Sequence, residues 1–285
     1  DYAALPRVDW LHASPVCTRA SVANSGDTES PEDLSMADAV VQAVLAQQPQ
    51  VFTLENVWFY RTFESFERIT AALGDLGYMW DFEHVNAADF GVPQTRKRLI
   101  LRASRGLLPP LPPPVRWVGW YEAIADLLPT LPESRLAPWQ LARLPNELRE
   151  TMLVETHNTA RNASVRLAHE PTTTLANSVT SRPSHMQAIL LDGNNGRTDT
   201  GAPTMCDAKQ PAFTLTGSRS AVHRAILGPV CRCVSMTPRA LARFQSFPDT
   251  YRLPDRRALA AKVIGNAVPP LLMQRIAEQM MEAIQ

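Results

Sequence analysis

The stretch VDWLHASPVCTRAS, residues 8–21, opens on a strand-like run and closes on a thiol. Residues 8–14 are short, apolar and rich in strand formers, and the Pro-Val-Cys turn after them places Cys17 in a loop just past a strand end. Outward from it, SMADAVVQAVLAQ (35–47) reads as a helix that Ser35 can cap, with Asp38 three residues on completing a capping box. QVFTLENV (50–57) reads as the next strand, and TFESFERITAALGDL (62–76) as an amphipathic helix ended near Gly77. YMWDFEHV (78–85) and RLILRAS (98–104) are two further strands. Strands alternating with helices predict a parallel or mostly parallel α/β sheet, and ligands of such sheets bind at the carboxyl ends of the strands. Cys17 and Glu55-Asn56 both fall at strand ends of that kind.

The pattern breaks at LLPPLPPPVRW (107–117), where five of the six residues 109–114 are proline, so this segment reads as a stiff connector. A helical stretch is expected from about 119 to 153. EPTTTLANSVTSRPSHMQAILL (170–191) is then echoed by QPAFTLTGSRSAVHRAIL (210–227): Pro, Thr-Leu, Ser-Arg, His and Ala-Ile-Leu recur in that order. The echo reads as two short-stranded β units in a small separate domain. From Ser235 the helical texture returns in TPRALARFQSFP, in residues 256–263 and from about 270 to 284, with I-G-N (264–266) read as a turn that rejoins the first sheet.

Composition bounds the class. With 285 residues, 45% hydrophobic and 20% charged, the chain reads as an ordinary globular protein of one large or two modest domains. No apolar run approaches the roughly 20 residues of a membrane span, and no secretory signal is present. Four cysteines, 17, 206, 231 and 233, are too few and too scattered for a disulfide framework, so a reducing cytoplasm is expected. Without a C-x-x-C pair, Cys206, Cys231 and Cys233 with His223 make a poor zinc set, and no metal is expected. The net charge of zero hides an asymmetry: residues 1–100 hold 14 acidic and 7 basic residues, whereas 231–285 hold 4 and 8. Of the 28 basic residues 25 are Arg, the residue suited to phosphate and guanine, which admits a polyanionic partner.

Taken singly, Cys17, Glu55-Asn56-Val57, Gln94-Thr95-Arg96-Lys97-Arg98 and Ile264-Gly265-Asn266-Ala267-Val268-Pro269-Pro270 each have a plain structural reading. In this order, joined by RALARFQSFPDTY (239–251), they resemble the C5-cytosine DNA methyltransferase family, and the resemblance covers nearly the whole chain. It implies a Rossmann-like methyltransferase α/β sheet with a small β-rich target-recognition domain. The divisions expected are a catalytic domain at 1–105, a Pro-rich connector and helical segment at 106–154, target recognition at 155–230, and a return to the catalytic domain at 231–285. It further implies methyl transfer from S-adenosylmethionine to C5 of a flipped cytosine in double-stranded DNA. The implied catalytic residues are Cys17, Glu55, Arg96 and Arg98, and the substrate-binding ones Ser21, Asn56, Gln94, Arg182, Arg219 and Arg224. Pro15, Asn266 and Ala267 are implied to bind the cofactor.

The chemistry asks for these residue types. A thiolate that adds to C6 makes C5 a nucleophile, a carboxyl group at N3 answers the charge that develops on the ring, and an Arg beside O2 stabilises it. The base must leave the duplex to be reached. Two departures stand out. Val16 precedes the Cys where the family usually has Pro, though its backbone carbonyl can still accept from the cytosine amino group. The family's Gly-rich loop and ribose-gripping acid lie upstream of the Cys motif and are not found here. A trimmed chain, a split enzyme with a separate chain that supplies those strands, and an inactive remnant are the explanations, the first preferred. The enzyme is otherwise expected to be monomeric, cytoplasmic at the DNA and without a membrane contact, with a restriction partner left open. The alternatives are a non-catalytic or split-enzyme DNA-binding subunit and a tRNA cytosine-5 methyltransferase.

Overall fold

The computed structural model describes residues 2–16, 29–134, 152–155, 164–167, 188–191, 205–215, 223–227, 232–282 and 284. The chain divides into two units, Asp1–Gly91 with Arg96–Arg116 and Pro270–Gln285, and Val92–Thr95 with Trp117–Pro269.

The first unit is built on β1 (Trp10–Ala13), β2 (Val51–Asn56), β3 (Met79–Asn86) and β4 (Lys97–Ser104), in the order β1-β2-β4-β3. Only β1 and β2 are parallel; β4 runs antiparallel to both β2 and β3. This corrects the mostly parallel expectation. The link from β3 to β4 is too short for a crossover helix. It holds one 3-10 turn, Ala87–Phe90, closed by Gly91 at φ 82°, so the chain can only double back. Helices α1 (Pro31–Gln47) and α2 (Glu64–Asp75) lie between the strands. The cap of α1 is Ser30, not Ser35. The Ser30 hydroxyl accepts from the Asp33 amide at 3.2 Å and the Asp33 carboxylate accepts from the Ser30 amide at 3.1 Å, with Pro31 in the first helical position. Ser35 and Asp38 match the same spacing one turn on, but a proline already suited to the first turn sets the earlier start. Asp38 instead pairs with Arg68 of α2 at 2.7 Å.

Strand alternation sorts the sheet into two unlike faces. Phe52, Leu54, Leu99, Leu101 and Ala103 form one core with Ala37, Val44, Phe66, Ile69 and Leu73 of the helices. The other face carries Trp10, His12, Thr53, Glu55, Arg98 and Arg102. Thr53 and Arg102 are as buried as the core, and each finds polar partners there. Thr53 Oγ1 accepts from Trp10 Nε1 at 2.9 Å and meets His12 Nδ1 at 2.9 Å. Arg102 reaches Asp81 at 2.6 Å and the Pro109 carbonyl at 2.7 Å. The Pro-rich stretch 107–117 has no helix or strand, as its prolines require.

The second unit is β-rich. β5 (Met152–Glu155) pairs with β6 (Ser164–Leu167), and β7 (Ala188–Leu191), β8 (Met205–Asp207), β9 (Arg224–Leu227) and β10 (Arg232–Ser235) form an antiparallel sheet ordered β10-β9-β7-β8. The internal echo has a structural counterpart: Ala188-Ile189-Leu190 pairs antiparallel with Ala225-Ile226-Leu227, so Ile189 faces Ile226 at its centre. The long helix expected over 119–153 is not formed among the described residues. Helix α3 spans only Trp120–Ala123, a 3-10 turn follows at Leu128–Thr130, and strand β5 occupies Met152–Glu155. Pro129 and Pro132 break helical hydrogen bonding there.

Helix α4 (Pro238–Phe244) is capped by Thr237, and α5 (Arg257–Asn266) follows. Ile264-Gly265-Asn266 is the last turn of α5, not a free turn before a helix. The break falls later, at Ala267–Pro269, because Pro269 and Pro270 supply no amide to continue the helix. The C-terminal helix spans Pro270–Met281. Trp120, Ile124, Phe213, Leu241, Phe244 and Ile264 centre the second unit's core.

Candidate active site

The carboxyl ends of β1 and β2 lie side by side because the two strands are parallel, with Ala13 opposite Leu54. One residue further, Ser14 and Glu55 share a face. The Ser14 hydroxyl donates to Glu55 Oε2 at 3.0 Å. Arg98, near the start of β4, comes to the same carboxylate: its Nε stands 3.0 Å from Glu55 Oε1, a charge contact and not an aligned hydrogen bond. Arg98 Nη1 is tied to the Lys97 carbonyl at 2.7 Å, which fixes the guanidinium near its own backbone. Glu55 is 5% exposed, so its charge is answered inside the protein by one hydroxyl and one guanidinium.

Arg96 is buried as well, at 3% exposure. Burial pushes its guanidinium down to about 9, the like charge of Arg98 pushes the same way, and Glu55 pulls back. Burial and a neighbouring cation thus strain the charged form of Arg96, and negative charge arriving beside it would relieve it. Asn56 turns the chain after β2. Its Nδ2 donates to the Pro15 carbonyl at 3.2 Å and its Oδ1 accepts from the Val57 amide at 2.8 Å. That bond ties the end of β2 to the backbone two residues before Cys17. Val16 is exposed.

Gln94 belongs to the second unit, where Thr95 N donates to the Ala212 carbonyl at 2.8 Å and Ala212 N to that of Pro93 at 2.9 Å. Its side chain is fully buried, yet neither amide atom finds a hydrogen-bond partner among the described residues. Asn266 is exposed at the end of α5. The backbone around it is held by Gln245, whose Nε2 donates to the carbonyls of Ile264 at 2.9 Å and Ala267 at 2.6 Å. Arg224 is half-buried on β9; loss of solvent lowers its pKa, Cys233 opposes and Arg257 adds to the fall. Cys17, Ser21, Arg182 and Arg219 lie outside the described residues.

The structure therefore brings Glu55, Arg96 and Arg98 together with Asn56 and Pro15 in one unit. Two further groups, Ser14 and Gln245, were passed over in the sequence. The signal for Ser14 was strand alternation, which puts it on the face of His12 and Trp10; the signal for Gln245 was its place inside RALARFQSFPDTY.

A family model described as C-5 cytosine-specific DNA methylase matches residues 1–282. The Type II methyltransferase M1.HphI of Haemophilus parahaemolyticus is 26% identical over 284 residues, which cover 97% of this chain and 69% of that protein. The Type II methyltransferase M.AplI of Arthrospira platensis is 28% identical over 285 residues, covering 95% of this chain and 67% of that protein. Among solved structures, the methyltransferase EhMeth of Entamoeba histolytica superposes with a TM-score of 0.53 at 14% identity, over 97% of this chain and 78% of that one.

Proposed function

We propose a mechanism from one premise: this chain belongs to the C-5 cytosine-specific DNA methylase family. It is an enzyme of DNA cytosine-5 methylation, with DNA as substrate, and its relatives are Type II methyltransferases. The reading of individual residues is ours. The observation that carries it is the buried Glu55 carboxylate shared between Arg98 and Ser14 at adjoining strand ends, Ser14 itself three residues before Cys17 in sequence.

In this reading the Cys17 thiolate adds to C6 of a cytosine drawn out of the duplex, and a Cys17 Sγ–C6 bond forms as the C5–C6 π pair moves to C5. Glu55 is placed to face N3 and to share a proton with it as charge develops on the ring. Arg98 faces the charge that develops toward O2, and Arg96 gains from it because burial and the like charge of Arg98 disfavour its charged form. Gln94 offers a buried carboxamide with both polar atoms still to be satisfied, which suits a substrate group. Asn56 holds the Pro15 carbonyl and so sets the entry to the Cys17 loop.

S-adenosylmethionine, when bound, supplies the electrophilic methyl group. Asn266 and Ala267, on the backbone that Gln245 clamps, and Pro15 in the other unit are our candidates to hold it. With the methyl group on C5, a water molecule takes the C5 proton, the freed pair re-forms the C5–C6 double bond, and the Sγ–C6 pair leaves with Cys17 as thiolate. The region 155–230, with Arg182, Arg219 and Arg224, is our candidate for target recognition in a monomeric enzyme on double-stranded DNA.

Covalent trapping tests this. With S-adenosylmethionine and duplex DNA containing 5-fluorocytosine, the C5 substituent cannot leave as a proton, so the adduct should persist through denaturation and vanish in Cys17→Ser. An adduct that survives the Cys17→Ser substitution would overturn the assignment of the nucleophile.

A further inference from the structure

The edge strand β3 segregates its charges by face. Asp81 and Glu83 point to the polar face, where Arg102 lies 2.6 Å from Asp81 and 3.7 Å from Glu83. The residues that alternate with them point to the other face and are aromatic or basic: Trp80, Phe82 and His84. They continue into a ladder of rings. Trp80 and Phe82 are 6.5 Å apart, Phe82 and Trp58 6.1 Å, and Trp58 and His84 stack at 4.4 Å with 15° between their planes. The Arg61 guanidinium lies 4.2 Å from the Trp58 ring centroid, and its Nη1 donates to the Trp58 carbonyl at 2.9 Å. Lys97, opposite Asn86, completes the group on the same face as His84. His84 is held below its ordinary range by loss of solvent, then by Lys97 and Arg61, so both cations reach it.

This gathering is unlike a core edge. Trp80 is 37% exposed and Phe59, next to Trp58, is 43% exposed. One guanidinium and an imidazole are held on one indole, with Lys97 near the imidazole, while the strand's two carboxylates are turned to the opposite face. Stacking on Trp58 and a bond to its carbonyl pre-order Arg61, so little side-chain entropy remains to be lost on meeting an anion. The position matters too. Trp58 follows Asn56 by two residues and Lys97 precedes Arg98, so the cluster sits at the same end of β2 and β4 as the Glu55 carboxylate, on the other face of the sheet.

We propose that Arg61 and His84, arrayed on Trp58, together with Lys97 near His84, form a phosphodiester-binding site that holds the DNA backbone beside the catalytic strand ends. This rests on the reading of DNA as substrate. Backbone contacts position a duplex without reading its sequence and make affinity fall with salt, by about one unit of slope for each phosphate contact.

The test compares wild type, Arg61→Gln, Lys97→Gln and the double variant. Direct binding to a duplex is measured across a salt series, and kcat is measured at saturating DNA. Each single change should reduce the slope of log Kd against log salt by about one. KM for DNA should rise severalfold while kcat stays within about twofold, and Lys97→Arg should restore the slope. Slopes equal to wild type, in variants that still transfer methyl groups, would overturn the proposal and leave the activity standing. Absence of methyl transfer by wild type would instead count against the activity, and the binding slopes would still judge the contact. Lys97→Gln keeps the test open should Arg61→Gln disturb the fold.

Discussion

At the scale of single residues, the site is a carboxylate with two unlike partners. Arg98 answers the charge of Glu55, whereas Ser14 fixes where Oε2 points. The two roles separate experimentally. Ser14→Ala should lower kcat about fivefold, from loss of about 1 kcal/mol of orientation, because water can partly replace a hydroxyl this exposed. KM for DNA should hardly move, and Ser14→Thr, which keeps the hydroxyl, should recover most of the rate. Equal rates for the Ala variant and wild type in single-turnover assays would remove Ser14 from the machinery. Glu55 and Arg98 could be picked out of E-N-V and Q-T-R-K-R. Ser14 could not, since a serine before a proline reads first as a turn former. Its partner is 41 residues away and becomes visible only when β1 is laid beside β2.

At the scale of elements, alternation decided most of what could be foreseen. β2 is buried along its whole length, yet its side chains divide into Phe52 and Leu54 toward the helices and Thr53 and Glu55 toward the polar face. That division is written in V-F-T-L-E-N and needs no partner to be read. The ends of elements are another matter. Ser30 and Ser35 offer the same local spacing for a cap, and the choice fell to the one followed by proline. Ile264-Gly265-Asn266 looked like a turn because of its glycine, yet α5 runs through it, held by Gln245 from α4's C-terminal cap. Gln245→Leu would take one donor from the buried Ile264 carbonyl and one from the part-buried Ala267 carbonyl, costing about 1–3 kcal/mol. It should lower the urea midpoint and, if Asn266 and Ala267 hold S-adenosylmethionine, weaken its binding as well. A destabilised variant with unchanged cofactor affinity would take those two residues out of the cofactor site.

At the scale of the whole molecule, long-range ties decide how segments are held. Arg243 joins Asp126, across 117 residues, to Asp249, with Nε to Asp249 Oδ1 at 2.9 Å and Nη2 to Asp126 Oδ2 at 2.9 Å. Hydrogen bonds from Arg243 hold both carboxyl groups below their ordinary range. A carboxyl depressed in the folded state adds stability above its unfolded value, and that stability is lost as pH falls through the folded one. The gap in urea midpoint between wild type and Arg243→Ala should therefore be present at pH 7, modest because both carboxylates are exposed, and should close as pH drops below about 4. A gap of constant size from pH 7 to pH 3 would show that the contribution of Arg243 is packing and not charge. Another such tie is the approach of Gly119 to residues 208–209. A Cβ there would stand 2.5 Å from the Ala208 carbonyl, and Trp120 beside it donates to the Cys206 carbonyl at 3.2 Å. No local pattern marks Gly119 as indispensable.

The sequence by itself determined the identity of the strands and helices of the first unit, the polar residues at their ends, the proline-imposed break after residue 106 and the echo that becomes the Ala-Ile-Leu pairing of β7 with β9. These are matters of side-chain period, of missing amides and of repetition along the chain, and each is complete within a dozen residues or so. Tertiary structure alone decided that β4 enters between β2 and β3 antiparallel to both, that Ser14 meets Glu55, that Arg96 is buried beside Arg98, and that the acids of β3 meet Arg102 while its His84 stacks on Trp58. The physical reason is common to all four. Which strand neighbours which is set by the joint burial of surfaces far apart in the chain, and the charge state and orientation of a polar group follow from the neighbours that burial assigns to it.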